Sequence, residues 1–274
     1  IMAYTTINDP SAYFHIQLWT GNGSSQSITN DANAGDFKPD WVWIKNRTSS
    51  GGAGPQIIWN STRGTDREFH MNTNEAEHTT TNGITSFDTD GFSIGNGGTV
   101  NENTSNFVGW QWKSNGGTTT SFSASGSQLA GTRQSNTTAG FSIITYSGDG
   151  NNNATIPHGL NSAPKFVLTK ERDATSNWYV GHDATFETGE IFLNLTNAVA
   201  SAFGPFNKTK PNASNITLGT DGNVNGSGDA YVMFAFSEVQ GYSKFGSYTG
   251  NGSSSNGPFV YTGFKPAWLL YRNI

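Results

Sequence analysis

Apolar residues recur along this chain in short runs closed by glycine and asparagine, and the runs repeat. Phe14-His15-Ile16-Gln17-Leu18-Trp19-Thr20 ends in Gly21-Asn22-Gly23. Phe141-Ser142-Ile143-Ile144-Thr145-Tyr146-Ser147 ends in Gly148-Asp149-Gly150. Tyr242-Ser243-Lys244-Phe245-Gly246-Ser247-Tyr248-Thr249 ends in Gly250-Asn251-Gly252. Alternating or regularly aromatic positions predict strands. Gly and Asn accept positive φ, so each Gly-Asx-Gly predicts a hairpin turn. Beyond each turn a proline introduces a second run: Trp41-Val42-Trp43-Ile44-Lys45 after Pro39, Phe166-Val167-Leu168-Thr169-Lys170 after Pro164, and Trp268-Leu269-Leu270-Tyr271-Arg272 after Pro266. Proline ahead of a strand removes no ladder bond. The unbroken apolar run predicts a central strand covered on both faces, or nearly so.

The remainder of the unit repeats twice. Phe92-Ser93-Ile94-Gly95 matches Ile216-Thr217-Leu218-Gly219, Val100-Asn101 matches Val224-Asn225, and Phe107 to Trp112 matches Tyr231 to Phe236, each at an offset of 124 residues. Met71-Asn72-Thr73-Asn74 also resembles Leu193 to Asn197. A constant offset over such distances argues for duplication. The expected organisation is a unit over 1–118, a Ser/Thr/Gly-rich linker or edge strand over 119–138, a second unit over 139–240, and the first half of a third over 241–274. Each complete unit is expected to be a β-sandwich of jelly-roll or lectin-like character, so the fold class is all-β. Helical turns are expected only at Glu75–His78 and Ala198–Ala202. An orphan two-stranded hairpin is marginal in water. The terminal half-unit is therefore expected to pack on something, unless the chain is a fragment of a longer repeat protein.

Composition removes several classes of function. The chain has 274 residues, a net charge of −5 and no cysteine. Disulfides and cysteine-ligated metals are thus excluded. Only 13% of residues are charged, about half the usual share, and the balance is acidic, which argues against nucleic acid. No apolar run of about 18 residues predicts membrane insertion, and no signal peptide is visible. With 34% hydrophobic and 13% aromatic residues, the chain can still build a core.

Candidate chemistry is sparse. His70 and His78 stand eight apart among Glu68, Glu75 and Glu77, which suggests either a carboxylate–imidazole metal site or a solvated edge. Asp88 with Asp90, and Glu187 with Glu190, are the acidic pairs that could serve a glycosidase. Asp88-Thr89-Asp90-Gly91 resembles a turn more than a site, with Ca²⁺ through oxygen ligands as the alternative. No HExxH, GxSxG elbow, P-loop or Rossmann fingerprint occurs, so no cofactor and no enzyme activity are expected. Trp41 with Trp43, and Trp110 with Trp112, are i, i+2 pairs that point to one face of their strands. Core is the expected place for most tryptophans. Turned outward, these four and Trp178 would form a platform for sugars to stack on.

At this point the units resemble a known family. Met2-Ala3-Tyr4-Thr5-Thr6-Ile7, Gly21-Asn22-Gly23 through Lys45, Ser61-Thr62-Arg63-Gly64, Ser86-Phe87-Asp88-Thr89-Asp90-Gly91-Phe92 and Gly241 through Gly252 are similar to repetitive tail-fibre-like proteins of marine bacteriophages. The resemblance implies a virion, extracellular location and a structural role in a surface appendage, with host attachment as a further part. The implied partners are other copies of the chain or other virion proteins, and a host-surface glycan. Three other functions stay open: a glycan-binding module, a self-assembling filament or adhesin subunit that donates a strand, and a polysaccharide depolymerase.

Overall fold

The computed structural model describes residues 4–31, 35–48, 54–200 and 204–274. The protein is all-β, and its sheets are antiparallel. In chain order the first half contributes β1 (Phe14–Thr20), β2 (Gln26–Ile28), β3 (Trp41–Asn46), β4 (Gln56–Asn60), β5 (Gly64–His70), β6 (His78–Thr79), β7 (Ile84–Phe87), β8 (Phe92–Ile94), the helical turn α1 (Gly98–Asn101) and β9 (Asn106–Trp112). The second half contributes β10 (Thr120–Phe122), β11 (Gly131–Asn136), β12 (Phe141–Ser147), β13 (Ala154–Pro157), β14 (Pro164–Glu171), β15 (Tyr179–His182), β16 (Ile191–Phe192), β17 (Asn215–Leu218), the helical turn α2 (Gly222–Asn225) and β18 (Ala230–Ser237).

The described strands form a large and a small sheet in each half. The first half has the order β1-β9-β3-β4-β5-β6 beside β2-β8-β7. The second has β10-β11-β12-β18-β14-β15-β16 beside β13-β17. The proline-led runs become β3 and β14, each between two neighbours. Their successive side chains enter different cores. Val42 and Ile44 pack with Ile57, Trp59 and Phe92 toward the small sheet. Trp41 and Trp43 face the other large sheet. Burial on both faces is what makes such a strand continuously apolar.

The largest core lies between the halves. Trp41, Trp43, Ile58, Phe69 and Trp112 pack with Phe141, Ile143, Leu168, Trp178, Val232 and Phe234. At its centre Trp41 stacks 4.4 Å from Trp112 and 4.6 Å from Phe234 between ring centroids. Pairing Trp41 with Trp112 and Trp43 with Trp110 across β3 and β9 places all four rings on one side.

Equivalent positions in the halves make equivalent bonds. Fully buried Asn101 donates to Gly95 O and accepts from Asn22 N. Fully buried Asn225 donates to Gly219 O and accepts from Asp149 N. Gly23 N and Gly150 N donate to the backbone oxygens of the same two asparagines. Likewise Asn72 accepts from Gln56 N, and Asn194 from Trp178 N.

Several expectations change here. The Gly-Asx-Gly segments do not turn hairpins: β1 pairs with β9, and β12 with β11 and β18. They dock instead on α1 and α2. A Cβ on Gly21 would sit 2.1 Å from Glu102 O, and one on Gly148 2.3 Å from Gly226 O. The turn glycines serve close approach as well as positive φ. Residues 75–77 are not helical, and His78 opens β6. Of the other expected helical turn, Ser201 and Ala202 lie outside the described residues, and Ala200 bridges Glu190. Met2 and Ala3 also lie outside them. The α-helical turns form instead at α1 and α2, and Pro10–Ala12 makes a 3-10 turn. Residues 119–138 contain β10 and β11, which extend the large sheet at its edge. Residues 244–274 contain no strand.

Candidate functional site

The tryptophans are placed by the sheet that carries them. Trp41 (2% exposed), Trp43, Trp112 and Trp178 (0%) are buried. Trp110 is half-buried, edge-on to Trp43 at 5.6 Å. The face shared by the i, i+2 pairs is the interior one, because the second large sheet covers it. The outward platform expected of Trp41, Trp43, Trp110, Trp112 and Trp178 is therefore not formed. Trp178 joins the halves by donating its indole N–H to His70 O at 2.9 Å.

The members of each acidic pair have different neighbours. Asp88 accepts from the Ser86 and Ser93 hydroxyls at 2.6 and 2.7 Å, and its N–H bonds Gly91 O, so it closes the turn before β8. Burial, with Asp36 nearby, raises the Asp90 pKa. Among the described residues neither joins a larger cluster of metal-ligating side chains. Glu187 pairs with Lys210 at 3.5 Å. Glu190 has its pKa raised by burial and by Asp221.

The polar stretch around His70 does converge. His70 ends β5, His78 opens β6, and Glu68 lies opposite His78 across the ladder. Glu68 and His70 are two apart and share a face, so the ladder brings all three together. Glu75, from the intervening loop, lies 2.9 Å from His70 Nδ1 and 3.6 Å from His78 Nε2. The Thr73 hydroxyl donates to the same Glu75 oxygen at 2.8 Å. Hydrogen bonding to Glu68 raises the His70 pKa against its burial, with help from the Glu75 charge. The Thr73 bond, then His70, holds Glu75 below the usual carboxylate range.

Glu77 points away from this cluster. It pairs with buried Arg63 and, at 2.9 Å, with Arg172 of the second half. Burial pushes its pKa up, but the two guanidinium groups outweigh it and the net direction is down. Burial brings Arg63 down to about 10 despite Glu77. Arg63 also lies over Phe69, 4.5 Å from the ring centroid.

Most of the exposed large apolar side chains among the described residues are C-terminal. Phe259 is 88% exposed, and Leu269, Tyr271 and Tyr261 are each more than 70% exposed. Trp268 leans on the shared core, 5.4 Å from Trp112. Arg272 donates to Leu195 O and Asn197 O, and Tyr4 to Gly263 O. Gly252 has φ +70°, like Gly23 (+69°) and Gly150 (+72°). Ser253 N bonds Asn251 Oδ1 as Ser24 N bonds Asn22 Oδ1. Gly250, however, has no atom near the place where Gly21 and Gly148 meet a backbone carbonyl.

Residues 9–274 match a family described as a domain of unknown function, DUF7483. The chain belongs to that family. No curated protein and no solved structure matches it. The DUF7483 match spans both halves and the C-terminal segment. Among the described residues of this DUF7483 chain, no helix is long and apolar enough to cross a membrane. Chemically the arrangement offers two things: a histidine–carboxylate cluster at the β5–β6 edge, and a C-terminal segment turned like its internal counterparts, with several large apolar side chains left exposed.

Proposed function

We propose that this DUF7483 chain is a non-enzymatic structural protein of a tail-fibre-like virion appendage. In this reading residues 241–274 engage a second copy of the chain. The observation that supports it is the state of that segment. It carries the turn and the proline-led apolar run that become β1 with β3, and β12 with β14, in the two halves. There the run lies beside a strand from later in its own half, β9 or β18. In residues 244–274 the same pattern has no ladder, and Tyr248, Phe259, Tyr261, Leu269 and Tyr271 face solvent, while Phe245 and Trp268 lean on the two large sheets. Strand addition from a neighbour would bury those side chains and pair the backbone. The bacteriophage resemblance of the repeat motifs accords with such an assembly. A glycan-binding role draws no support from the candidate tryptophans, which are covered.

Light scattering tests this on wild type and on a Leu269→Glu/Tyr271→Glu variant. Both positions are exposed, so the fold should survive. Wild type is expected to be oligomeric at about 100 μM, an affinity range within reach of modest interfaces, and the variant monomeric. A monomeric wild type, or a variant that assembles equally well, overturns the reading.

A further inference from the structure

We infer that His70, Glu75 and His78 form a binding site for a first-row transition-metal dication, with Zn²⁺ as the matching ion. The inference is independent of the assembly proposed above. One ligand atom from each of the three side chains lies within 4.8 Å of the other two. The imidazole rings are 5.0 Å apart between centroids. Zinc holds nitrogen and oxygen ligands at about 2.0–2.2 Å in a tetrahedron. The same Glu75 oxygen lies 2.9 Å from His70 Nδ1 and 3.6 Å from His78 Nε2, so all three ligand atoms can face one ion.

Four further features fit a metal site. His70 would ligate through Nδ1, which leaves Nε2 facing Glu68 Oε1 at 3.7 Å. A carboxylate behind a ligating imidazole fixes its tautomer and raises its basicity. Thr73 orients the Glu75 oxygen in the same way. His78 Nε2 is shielded from solvent and makes no hydrogen bond. A shielded, unbonded ring nitrogen is a cost in a plain polar edge, and a metal ion would satisfy it. Glu75 and His78 are both partly exposed, which gives an entry path and room for a water as fourth ligand.

Two imidazoles with one carboxylate select Zn²⁺, Ni²⁺ or Cu²⁺ over Mg²⁺ and Ca²⁺, which take all-oxygen shells. Three protein ligands would be drawn from β5, β6 and the loop between them. The same loop places Asn74 O to accept from Ser176 N, and Glu77 against Arg172. Metal binding would therefore stiffen the segment that ties the first half to the second.

Calorimetry on untagged full chain with ZnCl₂ tests the site, with CoCl₂ absorption and thermal melting as second readouts. One Zn²⁺ per chain is expected with a Kd below about 100 μM, a Tm that rises with zinc, and tetrahedral Co²⁺ bands. Glu75→Gln and His78→Gln should each weaken binding at least about tenfold. Both positions are partly exposed, so the metal-free melting curve should barely change. His15→Gln, on β1 at the opposite edge of the same sheet, should bind as wild type does. Zinc binding weaker than about 100 μM, or binding unchanged in both variants, overturns the site.

Discussion

One carboxylate, Glu77, holds two guanidinium groups at the join between the halves. Arg63 is almost fully buried and Arg172 mostly so. Removing one partner of a buried ion pair leaves uncompensated charge and costs about 3–5 kcal/mol. Glu77→Gln is therefore expected to lose stability on that scale in urea titrations, and a loss below about 1 kcal/mol would mean the pairs behave as surface ones. His158 is a second informative residue. Its Nε2 bonds Asn212 O at 3.1 Å, and its Nδ1 accepts from Leu160 N at 3.1 Å. That pattern requires the neutral ring, and burial lowers its pKa. The unfolded ring titrates near 6.5. Protons then bind the unfolded chain more readily, so stability is full above about pH 6.5 and declines as pH falls through that value. His158→Asn should flatten the Tm slope between about pH 6.5 and 5, and an unchanged slope would remove His158 from the account. Neither role was legible in the sequence. Glu77 stands beside the histidines in the sequence, but it lies in the loop before β6, where its N–H donates to Arg172 O of the second half and its carboxylate turns to the two guanidinium groups.

Among the elements, the Gly-Asx-Gly segments with α1 and α2 form the repeated lock of the fold. The Asn101 side chain makes five polar contacts inside the first half: with Asn22 N, Asn22 Oδ1, Gln26, Ser24 O and Gly95 O. Stranding those groups costs about 1–3 kcal/mol for each that finds no water. Asn101→Ala should destabilise by about 3 kcal/mol and expose the amides of Gly21 and Gly23 to hydrogen exchange. Unchanged protection there would show that the turn stands alone. The strands and the 124-residue offset were readable because period-two alternation and punctuating glycines are local signals. The hairpin expectation failed because the partner of each turn lies about eighty residues away, across the chain. Sheet order was equally hidden. β3 and β14 advertise a central place, but nothing in their apolar runs names β9 and β18 as neighbours.

For the whole molecule, the decisive surface is the one where the two large sheets meet. Trp41 is surrounded there by rings from both halves, and Trp41→Ala should cost about 3–5 kcal/mol, lowering one cooperative transition shared by the two halves. Two separate transitions in calorimetry would show that each half keeps its own stability. The covering of that face is also why the tryptophans misled as ligand candidates. An i, i+2 pair reports which residues share a face, and only the tertiary arrangement decides whether water reaches it. The C-terminal segment has a different consequence. Its exposed run would dock on a part of the neighbour unlike itself, so donor and acceptor surfaces differ. Such a contact is head-to-tail and lacks a twofold axis. An assembly built this way has a direction: it closes into a ring if the rotation between copies divides a full turn, and otherwise grows as a polar fibre whose length must be capped by something else.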